Sequence, residues 1–437
     1  MSAMDKLRPV NFAERFRDLR TRAGLSKTAV ALGRYTVSYV SQIESGKRTP
    51  SSDAMAFFAT RLGVSPRFLA TGVPDGMEDA LRYRLEESVR AARDERLADA
   101  EEGLRSLISE AERYELRRLR ARGLAQLGDV LARGERYREA IDRLEEALET
   151  GDLMERDAGL AVSRLARTYR TVGDLAYASD VVEGFLGRTD RPPLEPGIMA
   201  ELQSVLVSLY FERGDIHRSE QAALRALASA SQGAPPEIRA NAYWDASRVM
   251  AEVKRWDEAL EFATRARVLM EELDDQRSVA RLHNAYAFIC LEVEPPKTTE
   301  AAHHLDLAEA MLEEVGGAVD IAYVASERAR LALVEGHADE ALRNAERALA
   351  LGGDDEGERP KALFLAARAH AELGQRDPAR DAFVEAANLF EKQGARQQVA
   401  ACYRELGEID LAAGDTESAM ESFRSGLAAL DPRRSRA

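Results

Sequence analysis

One amide and several small side chains share the outward face of a predicted helix that begins after Thr36 and ends before Gly46. The Thr36 hydroxyl is suited to cap the first turn, and Gly46 is suited to the left-handed conformation that closes the last one. Val40 and Ile43 are spaced to face a core. The residues that remain on the outward face are Val37, Ser38, Ser41 and Gln42. An amide such as that of Gln42 can bond an adenine edge in two places, which discriminates between bases by roughly 1–3 kcal/mol.

Two shorter patterns precede this helix and must position it. An apolar stripe over residues 12–23 predicts a first helix, and Ser26 is placed to cap a second helix over residues 27–32. Two helices joined by a tight glycine turn, with polar side chains on the second, form a helix-turn-helix. Residues 53–62 predict a fourth helix and a fifth follows. We therefore expect residues 1–72 to be a compact five-helix domain that binds DNA.

Three strings in this region, AGLSKTAVA, SYVSQIESGKRTPS and ATRLGVSPRFLATG, resemble the Xre/Cro/CI-type repressor domain over residues 11–72. The resemblance implies a buried ion pair between Arg20 and Glu44. It implies base contacts at Val37, Ser38 and Gln42. It implies phosphate contacts at Lys27, Ser41, Lys47 and Arg48, and Thr36 completes the predicted DNA-binding set. This chain departs from the family pattern at Lys27, where a glutamine is usual, and in a shorter turn before Thr36.

A second interpretation of these residues stays open. Ser41 and Gln42 can be ordinary solvated residues of a helix, and Lys47 and Arg48 an ordinary charged turn. Arg20 and Glu44 are structural under either interpretation.

Charge separates the first 72 residues from the rest of the chain. They contain twelve Lys or Arg and five Asp or Glu, a net charge of +7, which leaves −22 for the remainder of a chain with a total of −15. A basic module attracts phosphate, whereas a strongly acidic body is repelled from DNA. We therefore expect double-stranded DNA to meet only the N-terminal end.

The composition predicts a cytoplasmic protein that is not an enzyme. The sequence has no stretch of 18 apolar residues and no charged-then-apolar leader, and two cysteines in 437 residues fit a reducing compartment. It lacks a glycine-rich phosphate loop, a His-Glu-x-x-His motif and a Cys-x-x-Cys pair. His303 and His304 point about 100° apart on a helix and are poor joint ligands. We expect no catalytic residue, no cofactor, no metal site and no membrane contact.

From residue 78 onward the sequence repeats itself. A glycine or an equivalent residue is followed five positions later by a small residue, as in Gly173 and Ala178, and successive turns lie 38 to 42 residues apart. The pair Gly134 and Ala140 has one extra residue between its members. Two apolar-periodic segments flank each turn. This pattern predicts an array of helix pairs.

Phrases such as GHADEALRNAERALAL and GDTESAMESFRSGLAAL resemble the tetratricopeptide repeat, although the period here is longer than the usual 34 residues. The predicted fold is all-α, with a small five-helix DNA-binding head followed by a right-handed tetratricopeptide-like α-solenoid. We expect a hinge and capping helices over residues 73–113, eight repeats over residues 114–431 and a disordered tail over residues 432–437.

The first helices of stacked pairs line a concave surface. Aligned by their turns, the repeats place arginines, asparagines and aromatic residues on that surface. The predicted ligand-binding residues are Arg167, Asn241, Trp244, Arg248, Asn284, Arg330, Phe364 and Arg368. Such a surface suits an extended peptide, because amides bond its main chain and guanidinium groups pair with carboxylates. Alternatively, Arg248 and Arg368 simply pair with glutamates four residues further along the same helices.

In outline the chain resembles the RRNPP-type peptide-sensing regulators, which share this head and groove and usually act as dimers. The resemblance implies a homodimeric, sequence-specific transcription regulator whose repeats sense a ligand, either a peptide or a protein partner. The alternative is a protein–protein interaction scaffold that the head merely localises to DNA.

Overall fold

The computed structural model describes residues 11–189, 192–273, 275–353, 357–393 and 395–430, and these residues form helices and turns but no strand. They contain 23 helices. The chain divides into two compact units between Ile198 and Met199. The predicted all-α fold is confirmed, whereas the predicted tail at residues 432–437 lies outside the described residues.

The N-terminal head is a bundle of five short helices. Their bounds are α1 Phe12–Arg22, α2 Lys27–Ala31, α3 Val37–Glu44, α4 Ser52–Leu62 and α5 Pro66–Thr71. Each begins after a polar side chain whose oxygen accepts a hydrogen bond from a backbone N–H of the first turn. These capping residues are Asn11, Ser26, Thr36, Ser51 and Ser65. The caps fix where each helix starts, and the buried side chains Phe16, Val30, Val40, Ile43, Phe58 and Leu69 hold the five helices together.

Six further helices belong to the N-terminal unit. They are α6 Met77–Arg93, α7 Leu97–Arg113, α8 Arg117–Arg133, α9 Tyr137–Glu149, α10 Glu155–Thr171 and α11 Leu175–Leu186. Consecutive helices pack against each other in pairs through clusters of alanine and leucine.

The remaining helices run from α12, in which the division of the chain falls, to α23. They are α12 Pro196–Glu212, α13 Ile216–Ala230, α14 Pro236–Glu252, α15 Trp256–Glu272, α16 Gln276–Glu292, α17 Thr298–Val315, α18 Ala318–Val334, α19 Ala338–Gly352, α20 Arg359–Glu372, α21 Arg376–Lys392, α22 Arg396–Ala412 and α23 Thr416–Ala429. Within the C-terminal unit, the first helix α18 packs against the first helices α16 and α20 of the neighbouring pairs. Helix α20 in turn contacts α22, so the first helices α16, α18, α20 and α22 form a continuous row.

A short segment joins the head to α6. Arg15 is buried and donates from Nε to the carbonyl oxygen of Leu69 at 2.9 Å, at the end of α5. The Ser65 hydroxyl lies 2.6 Å from Oδ1 of Asp75, just before α6. The predicted domain boundary after residue 72 falls in this segment, and a hinge there stays a prediction.

The repeat spacing has a clear structural basis in the turns. The small residues five positions after each turn are almost completely buried where the two helices of a pair cross: Ala140, Ala178, Ser219, Ala259, Ala301, Ala341, Ala379 and Ala419. A larger side chain there would hold the two helices apart. The turn residue itself is left-handed, with φ of 88° at Gly173 for example, which is why glycine recurs.

Of the two irregular repeats, one keeps this geometry and the other departs from it. In the α8–α9 turn the left-handed residue is Glu135, with φ of 60°, rather than Gly134. Glu135 lies five positions before Ala140, so the regular spacing is restored. In the α16–α17 turn, Pro295 and Pro296 replace the left-handed residue, and the chain passes from Glu292 to Thr298 by a different path.

Candidate nucleic-acid interface and repeat surface

Helix α3 presents the predicted base-reading side chains to solvent. The Thr36 hydroxyl accepts a hydrogen bond from the backbone N–H of Tyr39 at 3.1 Å, which fixes the start of the helix. Val37, Ser38 and Gln42 are exposed, with 44% of the Val37 surface open to solvent. The three predicted base contacts therefore share an accessible helix face that bears a hydroxyl, an amide and a methyl-bearing side chain.

An ion pair anchors the end of α3 to α1. Arg20 Nε donates to Oε1 of Glu44 at 2.6 Å, and a second nitrogen of Arg20 donates to the carbonyl oxygen of Leu25 at 2.7 Å. This is the pair that the family resemblance implies. Lys27 joins it, because its Nζ lies 3.2 Å from Oε2 of Glu44 and 3.2 Å from Oγ of Ser41. The Lys27 ammonium on α2 is thus already bonded to two residues of α3, Glu44 and Ser41.

Lys47 and Arg48 follow α3 and are both exposed. The Arg48 guanidinium lies over the Tyr39 ring, 4.8 Å from its centroid. Such stacking holds a guanidinium in place while leaving its N–H groups free to bond. Both positive side chains lie at the surface of the head, and their contacts with phosphate stay a prediction.

In the C-terminal unit, α14 carries three of the predicted ligand-binding residues. Asn241 is exposed, and Trp244 is half-buried against the cluster between α14, α15 and α16. The Arg248 guanidinium lies 4.9 Å from the centroid of the Phe211 ring on α12. Among the described residues Arg248 has no carboxylate partner, so the alternative pairing with Glu252 is not formed.

Arg330 and Arg368 are engaged differently. Arg330 on α18 donates from Nε to Glu327 at 2.9 Å and lies 3.3 Å from Glu292 on α16, with its guanidinium over a phenylalanine ring. Burial alone would lower the pKa of Arg330, but the two carboxylates outweigh it and raise the pKa. Arg368 lies 3.9 Å from Glu372, the i+4 pairing that the sequence left open.

The other predicted ligand-binding residues lie in separate surroundings. Arg167 is on α10, in the N-terminal unit, and donates from Nε to the Ser163 hydroxyl at 3.4 Å. Asn284 on α16 is half-buried, and its Oδ1 accepts no hydrogen bond from any described residue. Phe364 on α20 packs edge-on against Phe383, 5.5 Å between centroids. The structure therefore brings together the α14 residues and places the rest on other first helices.

One contact between two histidines could not be predicted from their spacing in the sequence. Nδ1 of His283 on α16 lies 2.6 Å from Nδ1 of His304 on α17, a distance at which one ring donates an N–H and the other accepts it. His303, the sequence neighbour, has its ring 5.6 Å from that of His304. No group of three or more metal-binding side chains occurs in the part of the chain that the structure describes. None of the described helices is both long and apolar enough to span a membrane.

Comparison with known proteins agrees with this architecture. Residues 11–70 match the model of a helix-turn-helix domain. None of the curated proteins matches the chain. The fold is similar to a Rap protein complexed with Competence and Sporulation Factor, at 15% identity and a TM-score of 0.59 over 80% of this chain and 98% of that one. It is similar to the apo form of the quorum sensor NprR from B. thuringiensis, at 13% identity and a TM-score of 0.58 over 81% and 99% of the two chains.

A third solved structure, the apo form of RapI, is similar at 14% identity and a TM-score of 0.51, over 63% of this chain and 98% of that one. At these identities the likeness shows the fold. The chain is a helix-turn-helix domain followed by a tetratricopeptide-like α-solenoid.

Proposed function

We propose that this protein is a sequence-specific DNA-binding transcription regulator whose repeats sense a ligand. The observation that carries the proposal is the outward face of α3, where Ser38 and Gln42 are exposed on a helix that a cap and a partly buried ion pair hold in place. A head with a net charge of +7 on an otherwise acidic chain supports it.

A peptide is the ligand that the α14 surface supports best. Asn241 offers an amide to a peptide main chain, Trp244 an apolar surface, and Arg248 a guanidinium without a carboxylate partner among the described residues. Proteins of this fold include one solved with Competence and Sporulation Factor and one named a quorum sensor, and this supports a sensing role.

An interaction scaffold is the second candidate. It is favoured by the contacts of Arg330 and Arg368, since both are already paired with carboxylates of the protein itself. In that case the repeat surface holds a protein partner, and DNA binding only determines where the partner is held.

We further propose that the protein acts as a homodimer. One recognition helix reads only a few base pairs, so useful specificity requires two heads on a near-palindromic site, with half-sites about one helical turn or a multiple of it apart.

Selection of duplexes from a random library by the full-length chain tests the regulator proposal. We expect enrichment of a near-palindromic sequence. A selected pool that stays as random as the input would overturn sequence-specific binding. Mass spectrometry of molecules that copurify with the protein then supplies candidate ligands. A ligand that binds the repeats and changes affinity for the selected duplex supports the sensor, whereas a partner protein that binds without any change supports the scaffold.

A further inference from the structure

A cleft opens beside α3, on the side of that helix that faces α4. It has a volume of about 610 Å³ and lies between the α2–α3 turn and the α3–α4 loop. Its lining residues are Arg34, Tyr35, Thr36, Tyr39, Arg48, Thr49, Pro50 and Ser51. Two of the eight are arginines and none is acidic, so the cleft suits a negatively charged group.

Both arginines are held in place by aromatic rings rather than by carboxylates. The Arg34 guanidinium lies 5.4 Å from the centroid of the Phe57 ring, and that of Arg48 lies 4.8 Å from the centroid of the Tyr39 ring. Neither arginine has a carboxylate partner among the described residues, and both are exposed. A ring fixes the orientation of a guanidinium without neutralising its charge. Both positive charges therefore remain available at the rim of the cleft.

Hydroxyl groups that can still donate a hydrogen bond line the same cleft. The Thr36 oxygen accepts from the backbone N–H of Tyr39 at 3.1 Å, and the Ser51 oxygen accepts from that of Ala54 at 3.3 Å. Because each oxygen already serves as an acceptor, the proton of each hydroxyl is left to donate to something else. Phosphate oxygens accept bonds of this kind from both guanidinium and hydroxyl groups.

We propose that this cleft binds the phosphate backbone of DNA, with Arg34 and Arg48 as its charged donors. The inference rests on the proposed DNA-binding function and adds Arg34, which the family pattern does not include. Lys27 offers a useful contrast, since its ammonium lies 3.2 Å from Oε2 of Glu44 and is partly neutralised there. Arg34 has no such neighbour, so it contributes more to phosphate binding than Lys27 does.

Phosphate contacts are independent of sequence, so a generic 30-base-pair duplex is a sufficient probe. The experiment measures the affinity of the full-length chain for this duplex at several salt concentrations between about 0.05 and 0.2 M. The logarithm of the binding constant falls as the logarithm of the salt concentration rises. Each lost phosphate contact makes this fall shallower by about 0.9 in slope, which corresponds to roughly eightfold weaker binding at 0.1 M salt. We expect this change in Arg34→Ala and in Arg48→Ala, and a smaller change in Lys27→Ala.

Two variants serve as controls. Arg34→Lys keeps the charge and should retain most of the salt slope. Arg17→Ala removes an exposed arginine of the same head that does not line the cleft, and should leave the slope close to that of the unchanged chain. Circular dichroism of each variant establishes that the helices are intact, and Arg34→Gln replaces Arg34→Ala if the alanine variant loses helical signal.

The outcomes separate this inference from the proposed function. If the unchanged chain binds the duplex but Arg34→Ala has the same slope as Arg17→Ala, the cleft does not bind phosphate and only the inference fails. If the unchanged chain binds no duplex even at the lowest salt, the DNA-binding function fails and the inference fails with it.

Discussion

At the scale of single residues, Gln42 and Lys47 should make two different kinds of DNA contact. Gln42 is exposed on α3, where its amide can reach a base edge, whereas Lys47 lies beyond the end of the helix. We predict that Gln42→Ala relaxes specificity at one position of the selected site, at a cost of about 1–3 kcal/mol for the preferred base. Lys47→Ala should weaken all sequences alike and reduce the salt slope by about 1.

Titrations of both variants on the selected duplex and on single-base changes of it, at several salt concentrations, measure the two effects. If Gln42→Ala keeps the base preferences of the unchanged chain, the assignment of Gln42 to base reading is wrong.

The burial of His283 beside His304 makes stability depend on pH. His283 is 4% exposed, and burial, together with the nearby positive groups, lowers its pKa from 6.5 to about 4. Below pH 6.5 the unfolded chain binds a proton at this residue, but the folded chain does not until the pH approaches 4. Since the unfolded state binds more protons in that window, stability falls as pH decreases through it.

We predict that His283 accounts for about 2 kcal/mol of lost stability between pH 7.5 and pH 5. Thermal unfolding of the unchanged chain and of His283→Gln, each at both pH values, isolates this contribution. We expect the variant to be less stable than the unchanged chain at pH 7.5 but to lose less stability on acidification. Equal losses in the two proteins would show that the imidazole of His283 titrates normally in the folded state.

At the scale of helices, α22 and α23 approach each other closely at Gly407. A Cβ added there would lie 2.5 Å from the ring of Phe423 on α23. We predict that Gly407→Ala lowers the free energy of unfolding by about 1–3 kcal/mol, because the rigid ring must shift to make room. Denaturant unfolding measures the change.

Gly184 on α11 is the matched control for Gly407. It also lies within a helix, but a Cβ there would meet no atom within 4 Å. Gly184→Ala should therefore stabilise the chain by about 0.5–1 kcal/mol through the higher helix propensity of alanine. Destabilisation of similar size in both variants would mean that backbone effects, not the Phe423 contact, determine the result.

Local sequence rules were enough to predict the helices but not the ion pairs that join one helix to another. The start of α3 follows from the capping chemistry of Thr36, and the repeat turns follow from a left-handed residue five positions before a small one. The partners of Arg330 do not follow, because Glu292 lies 38 residues away in sequence and on a different helix. Ion pairs of this kind depend on which first helices are neighbours, and that is a property of the folded chain.

The same distinction holds for the candidate DNA site. The outward face of α3 was predictable because helical spacing determines it. Arg34 was missed, because its position depends on two consecutive left-handed residues, Leu32 with φ of 29° and Gly33 with φ of 73°. Leucine gives no signal for that conformation, so the turn that carries Arg34 to the cleft could not be predicted.

At the scale of the whole molecule, a ligand changes DNA affinity only by binding two conformations of the protein unequally. Moving a population from 1:99 to 99:1 requires a difference of about 5.5 kcal/mol. We predict that Arg248→Ala abolishes the response to the ligand while leaving the fold and the affinity for DNA without ligand unchanged. Affinity for the selected duplex, measured with and without ligand, provides the readout.

Arg330 provides the comparison for Arg248. Its guanidinium is paired with two carboxylates, so Arg330→Ala leaves Glu292 and Glu327 uncompensated and should lower the melting temperature as well. A normal ligand response in the triple variant Arg248→Ala, Arg330→Ala and Arg368→Ala would place the sensing surface elsewhere.

Assembly is also a property of the whole molecule. We predict that light scattering gives the mass of two chains, about twice 48.2 kDa, at least on the selected duplex. A mass of one chain, both free and on DNA, would contradict the homodimer and leave each head to bind its half-site alone.

The two cysteines are useful for testing whether the head moves relative to the helices that follow it. Cys290 and Cys402 are free and buried, and burial raises the pKa of each thiol to about 12. Since only the thiolate reacts with maleimide dyes, both should stay unlabelled at neutral pH in the folded protein. Fluorophores can therefore be attached to cysteines introduced at exposed sites, such as Arg17 in the head and Gly184 in α11, without first removing the native ones. Energy transfer between the two dyes would then report directly whether the head moves when the ligand binds.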